Sequence, residues 1–334
     1  MRTPFIVAEM SANHLGQLNR ALDLVKAAAA ARADAIKIQC WHPERMVVDR
    51  QATVTGGPWD GCNVAGLYEV CWTPFSWIPA IFDLAKRQGI VGFASVFDEL
   101  ALAELERNGC PIYKIASCEI IDTALIQAVA KTGKPMMIST GMATEREIHA
   151  ACDAAIDVDG GDLTLLKCTA AYPATPIDCH LRTIPDMRKR FHLHIGLSDH
   201  TLGTTAAVVA IALGATVIEK HLTLSRADGG PDAGFSSEPD EFAAMVKACR
   251  EAAETIGNVY YGATHQELPT LALRRSLHYI RSVTAGSNIT LDDIISARPA
   301  NGLAPSKFTA IIGRTLNDNV TIGQPVKWED FHGN

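Results

Sequence analysis

Eight short apolar segments recur along the chain as far as residue 223, and amphipathic segments separate them. The apolar segments are hydrophobic nearly throughout rather than at alternate positions, which is typical of strands buried on both faces of a parallel sheet. Several intervening segments carry hydrophobic residues at helical spacing, as in residues 18–33, 98–109 and 143–155. The pattern therefore predicts eight strand–helix units. The predicted strands span residues 4–10, 34–39, 90–96, 112–117, 135–140, 163–169, 194–200 and 216–223.

Eight such units, complete near residue 255, match a (β/α)8 barrel, which takes about 250 residues. A doubly wound open sheet is the alternative, but it usually has fewer strands and requires a glycine-rich first turn, which residues 8–16 (AEMSANHLG) lack. From residue 274 the chain changes to short β-type segments with Gly and Pro turns. We therefore predict a barrel domain over residues 1–256, a linker over 257–273 and a small domain over 274–334.

Composition and charge narrow the class of protein. The 334 residues are 48% hydrophobic, and 30 basic against 37 acidic residues give a net charge of −7. A mildly acidic chain has no general attraction to nucleic acid or to an anionic membrane, so we expect neither as a partner. The sequence has no apolar run long enough for a membrane span and no signal-peptide pattern at its start. Nine cysteines without a CxxC pair indicate reduced thiols and a cytoplasmic protein.

Polar side chains stand at the carboxyl end of every predicted strand. In a (β/α)8 barrel these ends converge on one mouth, where the active site lies. Lys37 is the most informative of them, because it interrupts an apolar run instead of marking the start of a loop. We therefore predict a functional site at this mouth. The candidates are Glu9, Lys37, Gln39, Ser95, Lys114, Ser117, Ser139, Thr140, Thr169, Ser198, His200, Glu219 and His221.

His200 and His221 end neighbouring strands, so their imidazoles can meet on one divalent metal ion. The alternative is that each is a hydrogen-bonded core histidine. Glu219 precedes His221 by two residues and shares its strand face, so it can accept a substrate hydroxyl.

Lys37 and Lys114 are predicted on opposite sides of the barrel, where two buried ammonium groups require anions. Serines at the strand ends add hydroxyl donors, which favours a pocket for a small phosphorylated or carboxylated substrate. A Schiff-base lysine, as in an aldolase, is the alternative. Glu9 can activate a water molecule or simply pair with a lysine. In the loop after strand eight, Asp232 is predicted to be an exposed acid that reaches into the mouth.

Together, several motifs resemble the sialic-acid-synthase family over almost the whole chain. Members of that family condense phosphoenolpyruvate with an amino-sugar aldehyde to form nine-carbon 2-keto acids. Residues 275–334, with ARPANGL at 297–303, are similar to its C-terminal antifreeze-like (SAF, β-clip) domain. The other motifs are AEMSANHLG, DAIKIQ, YKIASCEI, KPMMISTGMAT, LLKCTAAYP, GLSDHTLG, ALGATVIEKHLTL and GGPDAGFSSEPDEF.

The resemblance implies roles for individual residues. It implies a divalent metal (Mn²⁺, Mg²⁺ or Co²⁺) on His200 and His221, and Glu9 as a further catalytic group. It also implies a homodimer in which each SAF domain covers the partner's active site. An asparagine of the family is replaced here by Ala170. The implied phosphoenolpyruvate-binding residues are Lys37, Gln39, Ser95, Lys114, Ser117, Ser139 and Ser198. The implied sugar-binding residues are Tyr172, Glu219, Asp232 and Arg298.

Within the family, RADGGPDAGFSSEP and LYEVCWTPFSW resemble the pseudaminic acid synthase branch. The expected acceptor is therefore 2,4-diacetamido-2,4,6-trideoxy-L-altrose. NHLG and CWHPERM depart from that branch, so an N-acetylneuraminate or legionaminate synthase acting on N-acetylmannosamine-type sugars stays an alternative. Two alternatives come from other classes, namely a metal-dependent aldolase and a non-catalytic binding protein built on the SAF domain.

Overall fold

The computed structural model describes residues 3–156 and 161–333, so the outermost residues of the predicted domains, 1–2 and 334, lie outside it. The chain separates into two compact units, Met1–Gly257 and Asn258–Asn334. The predicted linker residues 258–273 belong to the second unit, where His265–Leu273 forms a 3-10 helix.

In the described part of the chain, the first unit is a closed barrel of parallel strands that neighbour one another in chain order, β1 to β8. This confirms the predicted fold class and excludes the open sheet. The strands are β1 (Phe5–Glu9), β2 (Ala35–Cys40), β3 (Val91–Val96), β4 (Tyr113–Ile115), β5 (Met136–Ser139), β6 (Leu163–Cys168), β7 (His194–Asp199) and β8 (Val217–His221).

Helices follow the strands and pack around the barrel. They are α1 (Leu18–Ala30), α2 (Pro43–Met46), α3 (Val64–Cys71), α4 (Ile78–Arg87), α5 (Glu99–Arg107), α6 (Thr123–Ala130), α7 (Glu145–Ile156), α8 (Thr183–Phe191), α9 (Thr205–Ala212) and α10 (Pro239–Ile256). None of the helices within residues 3–156 and 161–333 is long and apolar enough to cross a membrane.

Local sequence signals explain where several helices begin. The side chain of Asp98 accepts hydrogen bonds from the backbone N–H groups of Leu100 and Ala101, which caps α5. Glu238 and Glu241 form a capping box at the start of α10. Apolar side chains on the inner faces of these helices join the strands in one core, to which α10 contributes Phe242 and Met245.

The strand register gathers the polar strand ends at one level. Glu9 of β1 is aligned with Lys37 of β2 on one side and with His221 of β8 on the other. Ser198 and Glu219 are aligned in the same way. Because side chains alternate between the two faces of a strand, Ser198 and His200 face inward while Asp199 faces the helices. The register therefore determines which groups meet at the mouth.

The second unit contains a small antiparallel pair, β9 (Ser276–Tyr279) and β10 (Ile294–Ala297), and a short helix, α11 (Phe308–Ile311). Its own core includes Leu277, Tyr279, Ile311 and Phe331. The short β-type segments and the Gly and Pro turns of residues 274–334 predicted such short strands and turns.

Candidate active site

A cavity of about 390 Å³ opens at the carboxyl ends of the barrel strands. It brings together nearly all of the residues that the sequence predicts for the site. The exceptions are Thr140 and Thr169, which do not line it, and Arg298, which belongs to the second unit. The predicted residues that line the cavity are Glu9, Lys37, Gln39, Ser95, Lys114, Ser117, Ser139, Tyr172, Ser198, His200, Glu219, His221 and Asp232.

A buried cluster of alternating charges forms the floor. The Glu219 carboxylate lies 3.7 Å from the ammonium groups of both Lys37 and Lys114. Lys37 also pairs with Glu9 and donates a 2.7 Å hydrogen bond to the Ser95 hydroxyl. The prediction that the two lysines lie on opposite sides of the barrel is wrong, because only β3 separates their strands β2 and β4. Two carboxylates thus balance the two ammonium groups.

The charges in this cluster depend on one another. Burial acts to raise the pKa of Glu219, but the ammonium groups of Lys114 and Lys37 outweigh it and lower that pKa. Burial raises the pKa of Glu9, against the opposing effect of Lys37. Burial also lowers the pKa of Lys114. Glu219 is therefore the firmly ionised carboxylate, and Glu9 is the one that takes up a proton more readily.

The loop after β1 joins the loop after β8 above Glu9. The Ser11 backbone N–H donates to Glu9 Oε1 at 2.9 Å, and the Ser11 hydroxyl bonds Asp232. Gln39 donates to Glu9 Oε1 at 3.1 Å and to the Ser11 hydroxyl at 2.8 Å. Asp232 is 6% exposed, so the prediction of an exposed acid is wrong. It is buried because Ser11 and Ala12 donate hydrogen bonds to its carboxylate.

The two histidines lie beside each other, with ring centroids 5.3 Å apart and an interplanar angle of 68°. Nδ1 of His200 lies 2.9 Å from the carbonyl oxygen of Thr169, which fixes the ring orientation in the way usual for metal-binding histidines. Tyr172 packs on His200 at 4.2 Å between centroids. Burial and the positive charges of His200 and Lys37 lower the pKa of His221 well below its ordinary value. His221 is therefore a neutral imidazole, the form that binds metals.

Apart from Glu9 Oε2, which is ion-paired with Lys37, four polar atoms of the residues that line this cavity are buried without a hydrogen-bond partner among the described residues. They are Glu119 Oε2, Ser139 Oγ, Glu219 Oε2 and His221 Nδ1. Buried polar atoms are nearly always paired, and leaving one unpaired is costly. A cavity that combines an unpaired hydroxyl, carboxylate oxygen and imidazole nitrogen is therefore suited to a polar ligand.

No group of three or more His, Cys, Asp or Glu side chains suited to hold a metal occurs among residues 3–156 and 161–333. The pair His200 and His221 nevertheless fits a metal whose other ligands come from substrate or water, because one ring is oriented by a carbonyl and the other has an unpaired Nδ1.

Ala170, where the resemblance implies an asparagine, lies next to a tightly packed turn. The Gly141 N–H donates to the Ser117 hydroxyl at 3.1 Å. A Cβ atom at position 141 would lie 2.7 Å from that hydroxyl and 3.1 Å from the Ala170 Cβ, so only glycine fits there. The turn is compact, and Ala170 contributes no hydrogen bond to the cavity.

Sequence reasoning missed two polar residues of the cavity. Ser11 has a positive φ of 49°, which is uncommon outside glycine and places its N–H and hydroxyl toward Glu9 and Asp232. Glu119 lines the cavity after β4, has one buried oxygen without a partner, and has a pKa raised to about 7 by burial. Both lie inside quoted motifs, but neither stands at a strand end.

Arg298 is exposed in the second unit. The turn that follows it is fixed by Ser276, whose hydroxyl bonds the carbonyl of Pro299 at 2.7 Å. His278 Nε2 lies 2.9 Å from the same carbonyl. The role of Arg298 at a partner's cavity stays a prediction.

Comparison with known proteins places the chain among carbohydrate synthases. The NeuB family matches residues 24–261, and the SAF domain matches residues 274–332. A pseudaminic acid synthase from Campylobacter jejuni is 38% identical over 98% of this chain and 96% of its own length. An N,N'-diacetyllegionaminic acid synthase from Legionella pneumophila is 34% identical over 98% of this chain and 94% of its own.

Among solved structures, the N-acetylneuraminic acid synthetase of Leptospira borgpetersenii, in complex with citrate, is similar with a TM-score of 0.73 and 31% identity. The match covers 81% of this chain and 90% of that one. The barrel, the polar cavity and these matches lead to one conclusion, which is that the chain belongs to the NeuB family and ends in a SAF domain.

Proposed function

We propose that the protein is a nonulosonic acid synthase that condenses phosphoenolpyruvate with an open-chain N-acylated aminosugar and releases phosphate. The expected acceptor is 2,4-diacetamido-2,4,6-trideoxy-L-altrose, which would give pseudaminic acid. Pseudaminic acid synthases at 34–38% identity over nearly the whole chain support the reaction class. The observation that carries the proposal is the cavity with four unpaired polar atoms beside two buried lysines.

Phosphoenolpyruvate would bind over the buried charge cluster. Lys37 and Lys114 are held in place by Glu219, so the anion would meet donors that are already oriented. Ser139 has an unpaired hydroxyl to donate, and Gln39, Ser95, Ser117 and Ser198 line the same cavity. Because two carboxylates already balance the lysines, binding a further anion would favour protonation of Glu9, whose pKa burial raises.

His200 and His221 would hold a divalent cation, with Mn²⁺, Mg²⁺ and Co²⁺ as the candidates. The cation would supply Lewis-acid polarisation of the aldehyde oxygen. Tyr172, Glu219 and Asp232 would contact the sugar, since all three line the cavity near the histidines.

The reaction would form one carbon–carbon bond and one bond from C2 to a water oxygen, and it would break the bond from C2 to the phosphate oxygen. C3 of phosphoenolpyruvate attacks the aldehyde carbon, and the aldehyde oxygen gains a proton to become a hydroxyl group. Water, oriented by Glu9, adds at C2 and loses a proton. The resulting hemiketal phosphate expels phosphate and leaves the 2-keto acid. Glu119, with a pKa of about 7, could protonate the departing phosphate near neutral pH.

The residues of the second unit would complete the site in a homodimer. In this proposal Arg298 of one protomer binds the N-acyl group of the sugar in the partner's cavity and seals it from bulk water. The support is the resemblance of the C-terminal residues to the SAF domain and the exposure of Arg298.

The test is to incubate the purified protein with phosphoenolpyruvate, Mn²⁺ and a panel of 2-acetamido and 2,4-diacetamido sugars, and to measure released phosphate and product mass. The proposal expects phosphate release that requires both substrates and a product heavier than the sugar by one pyruvate unit. Condensation with free pyruvate and no phosphate would identify an aldolase instead. Binding of a ligand by the SAF domain without turnover of any sugar would favour a non-catalytic protein.

A further inference from the structure

The cavity has an apolar wall that the charged floor does not explain. It comes from the segment between β2 and α4, residues 41–77, which contains α2 and α3. By contrast, only residues 97 and 98 join β3 to α5. The segment lines the cavity with Trp41, Val54, Trp59, Val64, Leu67, Tyr68 and Cys71. We call four of these side chains, Val54, Trp59, Val64 and Leu67, the apolar wall.

Trp59 attaches this wall to the part of the site that holds the histidines. Its Nε1–H donates a 2.9 Å hydrogen bond to the carbonyl of Pro231, in the loop after β8. Its ring lies 5.1 Å from the ring of Tyr172 and 5.9 Å from that of Phe235. Tyr172 packs on His200 at 4.2 Å, and Phe235 packs on His221 at 5.1 Å. The apolar wall therefore adjoins the histidine pair. The lysines belong to the charged floor, where they contact Glu9 and Glu219.

The wall offers no hydrogen bond to a ligand through its side chains. Val54, Val64 and Leu67 are aliphatic, and the indole N–H of Trp59 is already used by Pro231. A sugar hydroxyl placed against it would lose water and gain no partner, which disfavours that sugar. A methyl group placed there would instead be removed from water, which is favourable.

We propose that the apolar wall selects acceptors that carry a methyl group in place of a hydroxyl, either the methyl of an acylamino group or the terminal methyl of a deoxysugar. This inference rests on the proposed function, since it assigns the sugar to the space beside the histidines. If the aldehyde carbon C1 of the acceptor sugar lies at the histidines, the far end of the sugar chain or its acylamino group reaches the apolar wall. The wall then acts in specificity and leaves the reacting atoms to the floor.

The first experiment compares kcat/KM for three acceptors in the full-length protein: the 2,4-diacetamido-2,4,6-trideoxy sugar, its 6-hydroxy analogue and N-acetylmannosamine. If the wall binds the C6 methyl, the wild type should prefer the trideoxy sugar over its 6-hydroxy analogue by at least about tenfold, the range that one group in an apolar pocket supplies. If the wall binds the second acetamido methyl, the wild type should prefer both diacetamido sugars over N-acetylmannosamine by a similar ratio. Val64→Thr and Leu67→Asn should bring that ratio towards one and leave the KM for phosphoenolpyruvate unchanged. Val48→Thr is the matched control, since Val48 is 97% exposed in the same segment.

The second experiment does not depend on turnover. Saturation-transfer NMR with each sugar reports which of its protons lie against protein methyl groups. Strong transfer to the acetyl or the C6 methyl, reduced in Leu67→Asn but not in Val48→Thr, supports the wall and identifies the methyl group that it binds. Strongest transfer to ring protons, or a wild type that favours hydroxylated acceptors, overturns the inference. Methyl transfer without phosphate release would instead contradict the proposed reaction and leave the wall supported.

Discussion

Lys220 and Asp199 form a buried ion pair, with the ammonium nitrogen 2.6 Å from the carboxylate, between the two strands that end in the histidines. Thr201 closes the cluster, because its N–H and hydroxyl donate to Asp199 at 2.9 and 2.8 Å and its carbonyl accepts from Lys220. Each member of the pair precedes a histidine by one residue and faces away from the cavity. The pair thus fixes β7 to β8 directly behind His200 and His221.

Breaking this pair should be costly. Lys220→Met leaves the Asp199 carboxylate buried without its counter-ion, and we expect it to lower the free energy of unfolding by about 3–5 kcal/mol. Asp199→Leu combined with Lys220→Met should cost less than the sum of the single changes, since no charge is then unpaired. Chemical denaturation measures all three. Lys26→Met, at a pair with side chains 58% and 53% exposed, should change stability by under about 1 kcal/mol. Equal effects at both sites would contradict this account.

Ser139 should matter to the ligand and not to the fold. Its buried hydroxyl has no partner among the described residues, so Ser139→Ala should leave the Tm of the unliganded protein unchanged or slightly raised. The same change should raise the KM for phosphoenolpyruvate roughly tenfold or more, because it removes a hydrogen bond to a charged group. Ser95→Ala is the contrast, since it takes a partner from Lys37 and should lower the Tm. An unchanged KM in Ser139→Ala would place phosphoenolpyruvate elsewhere.

Glu119 should make the folded protein more stable at acidic pH than at neutral pH. Burial raises its pKa from 4.5 to about 7, so the folded protein binds the proton more tightly than the unfolded chain does. The contribution of Glu119 to stability is therefore full below about pH 4.5 and falls as the pH rises to about 7, by about 3 kcal/mol in all. Urea unfolding of wild type and Glu119→Gln across this range measures the difference, with the exposed Glu254→Gln as control. Parallel pH profiles for the wild type and Glu119→Gln would refute it.

Removal of either histidine should weaken metal binding directly. We expect His200→Ala and His221→Ala to raise the Kd for Mn²⁺ by at least about 100-fold, a loss that electron paramagnetic resonance of free Mn²⁺ can follow without any turnover. Chelation should abolish phosphate release, and added Mn²⁺ should restore it. His149→Gln, at a half-exposed surface position, should behave as wild type. Mn²⁺ affinity that survives both alanine changes would remove the metal from the proposal.

Subunit complementation tests the role of Arg298. Lys37→Met disables the barrel of one protomer, and Arg298→Ala alters the second unit of the other. If each SAF domain serves its partner, the co-expressed heterodimer has one intact site and should regain about half of wild-type activity. If Arg298 serves its own barrel, the heterodimer should be as weak as the Arg298→Ala homodimer. If Arg298 serves neither barrel, the Arg298→Ala homodimer should itself keep wild-type activity.

The sequence predicted the barrel well because strand ends and their polar residues are local signals. The eight predicted strands agree with the observed ones to within about two residues at each end. His200 and Glu219, which were predicted from the strand ends, both line the cavity. Contacts between side chains that are far apart in the sequence could not be predicted from such local signals. The sharing of Glu219 by two lysines, and the burial of Asp232 by Ser11, arise from contacts between distant segments.

The segment between β2 and α4 lies outside the hydrogen-bonded barrel, although it supplies one side of the cavity. Apart from Trp59, which packs on Tyr172 and Phe235 beside the histidines, its sequence can therefore vary without moving the charged floor or the histidines. A chimera that received residues 41–77 from another family member would keep the chemistry of this protein and adopt the acceptor range of the donor. Within such a fold, a change of acceptor requires replacement of one loop, and the reaction centre can remain as it is.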